Sequence, residues 1–200
     1  MTESGFQQLK EEILRKLHEG LDPRLTYHSV EHTKDVMQQA ERIAISEKIS
    51  DARLLLLIKI ASLFHDTGFL CSYKGHEEKS CDLMFEMLDP KLFNKNELGM
   101  ISNMILATRL PQAPDTLPEK IICDADLDYL GREDFELISG NLKKEFFSYE
   151  IIHSEPEWDQ LQVRFFENHI YFTDTSIRER YPVKMQYLEE LRRKIVAENP

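Results

Sequence analysis

The stretch DARLLLLIKIASLFHD, residues 51–66, decides the fold. From Leu54 to Phe64 it is apolar enough that a helix here must lie at the centre of a core. Working outward, apolar residues keep recurring at three- and four-residue spacing, β-branched alternating runs are scarce, and only 7 Gly and 8 Pro punctuate the chain. That pattern predicts an all-α protein. Upstream, a first helix over residues 6–18 stops before Gly20 and Pro23, and a second over 29–47 carries Val36, Ala40 and Ile43 on one face. Downstream, a loop through Gly68 and Gly75 leads to helices over 77–88 and 95–106. The Pro-marked loop LPQAPDTLP then precedes a helix over 119–130 that Gly131 ends. Farther on, SEPEWDQLQVRFF begins with Ser154 and Glu157 as a capping box around Pro156, and Pro182 breaks or kinks the last helical stretch.

With 200 residues, 42% hydrophobic and 30% charged, the chain has the size and composition of one folded domain. No internal repeat or linker divides it. The polar, acidic opening MTESGFQQLKEEILRK lacks the basic start and apolar run of a secretory signal, and no stretch is long enough to span a bilayer, so the expected location is cytoplasmic. Cys71, Cys81 and Cys123 have no CxxC spacing and are expected as small core residues. A net charge of −11 and pI near 5.1 argue against a nucleic-acid polymer or an anionic membrane as partner. A small phosphorylated substrate stays open, because a metal with one or two cations can outweigh diffuse charge at short range.

Chemistry-bearing side chains fall on apolar stripes in three places, where an idle imidazole or carboxylate is costly to desolvate. In TYHSVEHTKDV, His28 and His32 lie one helical turn apart, and His32 continues into the stripe of Val36, Ala40 and Ile43. In ASLFHDTGF, His65 follows Ala61 by four and Ile58 by seven and must point inward. Asp66, about 100° further round, can converge with it. In IICDADLDYLG, Ile122, Ala125, Asp126, Tyr129 and Leu130 share a face, which makes Asp126 the inward carboxylate, while Asp124 and Asp128 stack on another face. Separately each segment also fits an ordinary helix end or a solvated acidic face. Jointly, two histidines and two carboxylates suit a divalent transition metal such as Mn, Fe, Co, Ni or Zn.

In the order His32, His65-Asp66, Asp126, the chain resembles the HD superfamily of metal-dependent phosphohydrolases: YHSVEHTKDV looks like its first motif helix, LFHDTGF like its namesake doublet, DADLDYLG like its terminal aspartate segment. The resemblance implies an HD-domain helical bundle with additional C-terminal helices, here a single domain over residues 1–200 with a motif-bearing core at 25–131 and an extension at 132–200. It implies His32, His65, Asp66 and Asp126 as metal ligands. His76, in KGHEEKS, resembles the extra histidine of two-metal members. The next ligand segment, MILATRLPQ, offers Thr108 and Arg109 and no histidine. This departure favours one tight metal, with a weaker second bound through Asp66, His76 and water.

The implied chemistry is hydrolysis of a phosphomonoester or phosphodiester of a small molecule, with a nucleotide as the expected substrate. Asp66 orients or accepts the proton of water, His28 meets the phosphate or the leaving oxygen, and Arg109 leads the phosphate-binding cations Lys74, Lys79, Arg109 and Arg132. Two other expectations stand beside it: a di-iron oxygenase of the same superfamily, and a non-catalytic nucleotide- or phosphate-binding module. Trp158, Phe165 and Phe166 in the extension fit a core or a homodimer interface equally well.

Overall fold

The computed structural model describes residues 1–198. Helix α3, Ala52–Phe64, starts where Asp51 accepts hydrogen bonds from the backbone N–H groups of Arg53 and Leu54 at 2.8 and 3.3 Å. It is buried almost all round from Leu57 to Phe64, apart from Lys59. Around it pack α1 (Glu3–Gly20), α2 (Val30–Ser46), α4 (His76–Met87), α5 (Lys95–Ala107) and α6 (Leu117–Asp126). Their buried stripes, among them Phe6, Leu9, Ile13 and Leu17 of α1 and Val36, Ala40 and Ile43 of α2, meet α3 in one apolar core. The fold is an all-α helical bundle with additional C-terminal helices, and no strand occurs among the described residues.

The additional helices are α7 (Phe135–Ser148), α8 (Glu155–Asn168), α9 (Asp174–Glu179) and α10 (Tyr181–Glu198). A second apolar cluster joins Phe135, Phe166 and Leu188 from them to Tyr27, Leu127, Tyr129 and Leu130 beside the motifs. Trp158 and Phe166 are buried and Phe165 is half-buried, so these rings face inward. Pro182 lies in the first turn of α10 and marks the break from α9.

Asp124 and Asp128 lie on a different face from Asp126, and sequence alone assigns that face no partner. Both are fully buried because the C-terminal segment folds over their face of α6. Asp124 accepts hydrogen bonds from the backbone N–H of Phe172 and Thr173 and from the Thr173 hydroxyl, at 2.7–2.9 Å. Asp128 lies in a short 3-10 segment, Asp128–Gly131, and its Oδ1 accepts from Arg42 at 2.8 Å and Arg180 at 2.9 Å, with Arg132 3.6 Å from Oδ2. Gly131 allows the close approach this requires, since a Cβ there would fall 2.3 Å from the Arg180 carbonyl oxygen.

Smaller corrections concern boundaries and caps. α3 stops at Phe64, leaving His65 as its C-cap and Asp66 in the turn, and α6 stops at Asp126 before the 3-10 segment. Ser154 does accept from the Glu157 N–H, but the Glu157 carboxylate accepts from His153 at 2.6 Å, so the box is not closed on Ser154. Cys81 and Cys123 are core residues, whereas Cys71 is exposed.

Asp128 gathers three guanidinium groups, and removing it leaves Arg180 facing a carboxylate-sized hole without its carboxylate, while Arg42 keeps Glu179 and Arg132 keeps Asp35 and Asp134. Asp128→Ala should therefore cost about 3 kcal/mol, the lower end of what breaking a buried ion pair costs, read as a fall in the midpoint of chemical unfolding. An unchanged midpoint would show that the cluster contributes nothing to docking the C-terminal helices.

Candidate metal centre

Three helix ends bring the motif residues together. His32 stands in the first turn of α2, whose N-cap Ser29 accepts from the His32 N–H at 3.3 Å, and its ring points into the core. His65 caps α3, and its Nδ1–H donates to the Ser62 carbonyl at 2.8 Å, which turns Nε2 toward His32 and Asp66. The Ser80 hydroxyl donates to the His65 carbonyl at 2.7 Å and accepts from the Gly68 N–H at 2.8 Å, fixing the turn that carries Asp66. Gly68 is required there, since a Cβ would fall 1.8 Å from the carbonyl oxygen of His76. Asp126 closes the group as the last residue of α6.

Asp66 Oδ2 lies 3.4 Å from His32 Nε2 and 3.2 Å from His65 Nε2; Asp126 Oδ1 lies 3.1 and 3.6 Å from the same two atoms. The two imidazole nitrogens are 3.4 Å apart. Ligands bound about 2.1 Å from one ion stand roughly 3.0–3.4 Å from each other; the three spacings among His32, His65 and Asp66 fall in that range, while Asp126 matches at His32 and stands slightly farther from His65. His32, His65 and Asp66 each offer a ligand atom within 4.8 Å of the others, and all three are buried. Asp66 Oδ2 is buried with no hydrogen-bond partner, an orphaned acceptor that a cation would satisfy. The donor set thus fits a metal ion on its own geometry.

Electrostatics points the same way. Burial alone would push the His32 pKa down, but the hydrogen bond to Asp126 and the nearby Asp66 carboxylate overcome it and raise it to about 9. His65 is likewise raised against its burial, by Asp66 and Asp126. For the carboxylates burial works upward and loses: His65, His32 and His76 hold Asp66 well below the usual range, and His32 and His65 hold Asp126 at about 2. Without a cation, protons on the imidazoles balance the carboxylates, and a metal must displace them.

His76 adjoins this group. It opens α4 behind Gly75, its Nδ1–H donates to the Tyr73 carbonyl at 3.2 Å, and its Nε2 faces Asp66 Oδ1 at 3.4 Å. Asp66 therefore presents one oxygen to His32 and His65 and the other to His76. Thr108 is buried on the cavity wall, with its hydroxyl donating to the Ile105 carbonyl at 2.8 Å. The Phe69 ring is sandwiched between the imidazoles of His28 and His76, with centroids 4.2 and 3.9 Å away, a packing role that sets both rings.

His28 stands beside the cluster and is held from the C-terminal helices. Its Nδ1 meets Glu145 Oε1 at 2.5 Å, while Glu145 Oε2 accepts from the backbone N–H of Tyr27 and His28 at 3.0 and 3.1 Å. The Tyr73 hydroxyl adds a bond to Oε1 at 3.1 Å. Burial pushes Glu145 up, yet these donors bring it below its ordinary value, so it stays a carboxylate. Glu145 and Tyr73 were not among the residues expected from sequence. Glu145 follows Leu142 by three on an amphipathic helix, the same polar-on-apolar signal that selected Asp126.

His28, Asp66, His76 and Asp126 line one cavity of about 680 Å³ that runs along α7 and α8. The expected phosphate-binding cations divide. Lys79 pairs with Asp82 at the surface, and Arg132 is held by Asp35, Asp134 and Asp128, so neither lines this cavity. Lys74 and Arg109 line a neighbouring cavity that shares His76 and Glu77, with Arg109 paired to Glu77 and Glu78.

No family model, curated protein or solved structure matched this chain. The buried His32, His65 and Asp66 in an all-helical fold are compatible with the HD-type metal site that the sequence resemblance implies. No helix among the described residues is long and apolar enough to cross a membrane.

Because the His32 pKa is raised, its proton persists to higher pH and competes with a cation. Metal affinity should climb as pH rises toward about 9 and weaken below it, with proton release on binding. Calorimetry with Mn²⁺, Co²⁺ or Zn²⁺ in buffers of different ionisation enthalpy measures this directly. His65→Ala should lose tight binding; unchanged affinity in that variant would remove His65 from the ligand set.

Proposed function

We propose that the protein is an HD-type metal-dependent phosphohydrolase acting on a phosphomonoester or phosphodiester of a small molecule. The observation that carries this is the convergence of His32, His65, Asp66 and Asp126 at ligand-to-ligand distances around an orphaned carboxylate oxygen, at the end of a cavity of substrate size. A divalent transition metal (Mn, Fe, Co, Ni or Zn) held there supplies Lewis acidity to the phosphoryl oxygens and lowers the pKa of a water.

The chain's own groups do the rest. Asp66 is positioned to take the water proton at the carboxylate oxygen that faces His76. His28, whose Nδ1–H is committed to Glu145, offers Nε2 to the leaving oxygen as proton donor. The Glu145 carboxylate fixes the tautomer and orientation of that ring, the same division of labour by which a buried carboxylate orients a general acid or base elsewhere. Arg109 and Lys74, on the far side of His76, can turn toward phosphoryl oxygens if Arg109 releases Glu78.

Elemental analysis beside a panel of phosphomonoesters and phosphodiesters tests the proposal. About one transition metal per chain is expected, with hydrolysis lost in Asp66→Ala. Two irons per chain with a visible absorption band and no hydrolysis would replace it with oxygen chemistry, for which the half-site at Asp66 and His76 gives a starting point. Phosphate binding without turnover after metal loading would leave a binding module.

Glu145 acts through His28 as a positioning residue. Glu145→Gln should keep its metal and KM while kcat falls about 100-fold, the low end of what a proton-transfer group contributes, and the pH dependence of kcat should shift. If kcat and its pH profile are unchanged, Glu145 is only structural.

A further inference from the structure

Away from the metal end the cavity wall changes character. α7 contributes Phe135, Leu142 and Phe146 to it, and α8 contributes Trp158, Leu161 and Phe165. Two of the few side-chain donors along this wall are already committed: the Gln162 amide donates to the Ser139 hydroxyl at 2.6 Å, and the Asn168 amide donates to the Arg164 carbonyl at 2.7 Å. The exposed lining residues, Leu110, Arg164 and Asn168, mark the mouth.

A nucleobase and ribose buried here would surrender several donors and acceptors to water-free surroundings with few partners, which is costly for each group left unpaired. Aromatic stacking could offset part of that, but the aliphatic positions on both helices give a base edge nothing to bond. Along the wall itself there is no cation for a second phosphate: Lys79 and Arg132 are engaged outside the cavity, and Arg164 stands at the exposed mouth. A hydrocarbon chain, by contrast, gains from every methylene it removes from water.

We propose that this wall is a hydrocarbon subsite and that the substrate is an amphiphile, the single-phosphate ester of an apolar alcohol. Its phosphate lies at the His28 and Asp66 end and its chain runs between α7 and α8 toward Arg164. This rests on the phosphohydrolase reading for the phosphate and on the wall alone for the chain.

The protein has a single tryptophan, Trp158, and it lies on this wall, so its fluorescence reports occupancy with or without metal. Titration with n-alkyl alcohols and n-alkyl phosphates from butyl to decyl should show affinity rising roughly two- to fourfold per added methylene, with kcat/KM showing the same trend for the phosphates. Adenosine monophosphate should not displace decyl phosphate. Leu161→Gln, or Leu142→Gln should the first fail to fold by circular dichroism, should flatten the chain-length dependence while hydrolysis of a short phosphate ester persists. Hydrolysis of short esters with no dependence on chain length would overturn the subsite and leave the phosphohydrolase standing. Displacement of decyl phosphate by adenosine monophosphate would overturn it in favour of a nucleotide. Length-dependent binding with no turnover after metal loading would support the subsite and overturn the hydrolase.

Discussion

Two imidazoles and two carboxylates face each other in a largely buried place beside the cavity, and holding them there requires three helix ends to meet. Each group alone would be too costly to bury, and together they are tolerable only at mutual distances near 3.1–3.6 Å. Those distances demand that the start of α2, the end of α3 and the end of α6 meet at one point. The apolar density of α3 makes this feasible, because a helix buried nearly all round can deliver its last residues to the middle of the bundle. The Gly68 turn then carries Asp66 back against α4, which brings His76 to the other oxygen of the same carboxylate.

The C-terminal helices are not an appendage to that centre. Asp124 and Asp128 flank Asp126 in sequence, and each is a fixed point onto which the segment after Arg132 docks, one through backbone N–H groups and the other through guanidinium groups. Three alternate aspartates thus have two distinct tasks: the outer pair ties the later helices to α6, and the middle one faces the histidines. The same docking presents Glu145 to His28 and builds the wall of Trp158, Leu161 and Phe165. His32, His65, Asp66 and Asp126 all precede Arg132, but the cavity beside them owes its far wall to α7 and α8.

What the sequence disclosed and what it hid divide along one physical line. A polar residue on an apolar stripe is visible from helical spacing, which is why His32, His65 and Asp126 could be picked out. Asp124 and Asp128 escaped because their partners, Thr173 and Arg180, are some fifty positions away, and periodicity within one helix says nothing of a distant segment. Yet their face of α6 also carries Ile121 and Leu127, and both are buried, so an acid at that register was a marked position. Glu145 carried the same mark. Cations gave the opposite error: Lys79 and Arg132 lie near the motifs in sequence, but long side chains reach the nearest carboxylate, and Asp82 and Asp35 took them away from the cavity. Nearness along the chain is a poor guide for lysine and arginine because their charge sits far from their backbone.

The clamps at Asp124 and Asp128 also bear on how the centre can tolerate losing a cation. A metal that binds only the folded state adds stability in proportion to the logarithm of its concentration over its dissociation constant, so a bundle relying on it to join α2, α3 and α6 would loosen when metal is scarce. Here α6 is held independently: Arg42 of α2 reaches Asp128 at 2.8 Å, and the Phe172–Thr173 backbone seals Asp124. The imidazole protons, held on by Asp66 and Asp126, keep the four ligand groups near charge balance meanwhile. The four groups are therefore held near one another by helix contacts at Asp124 and Asp128 as well as by their own proton-mediated contacts. A cation entering this group would have to displace protons but would not have to assemble the helices.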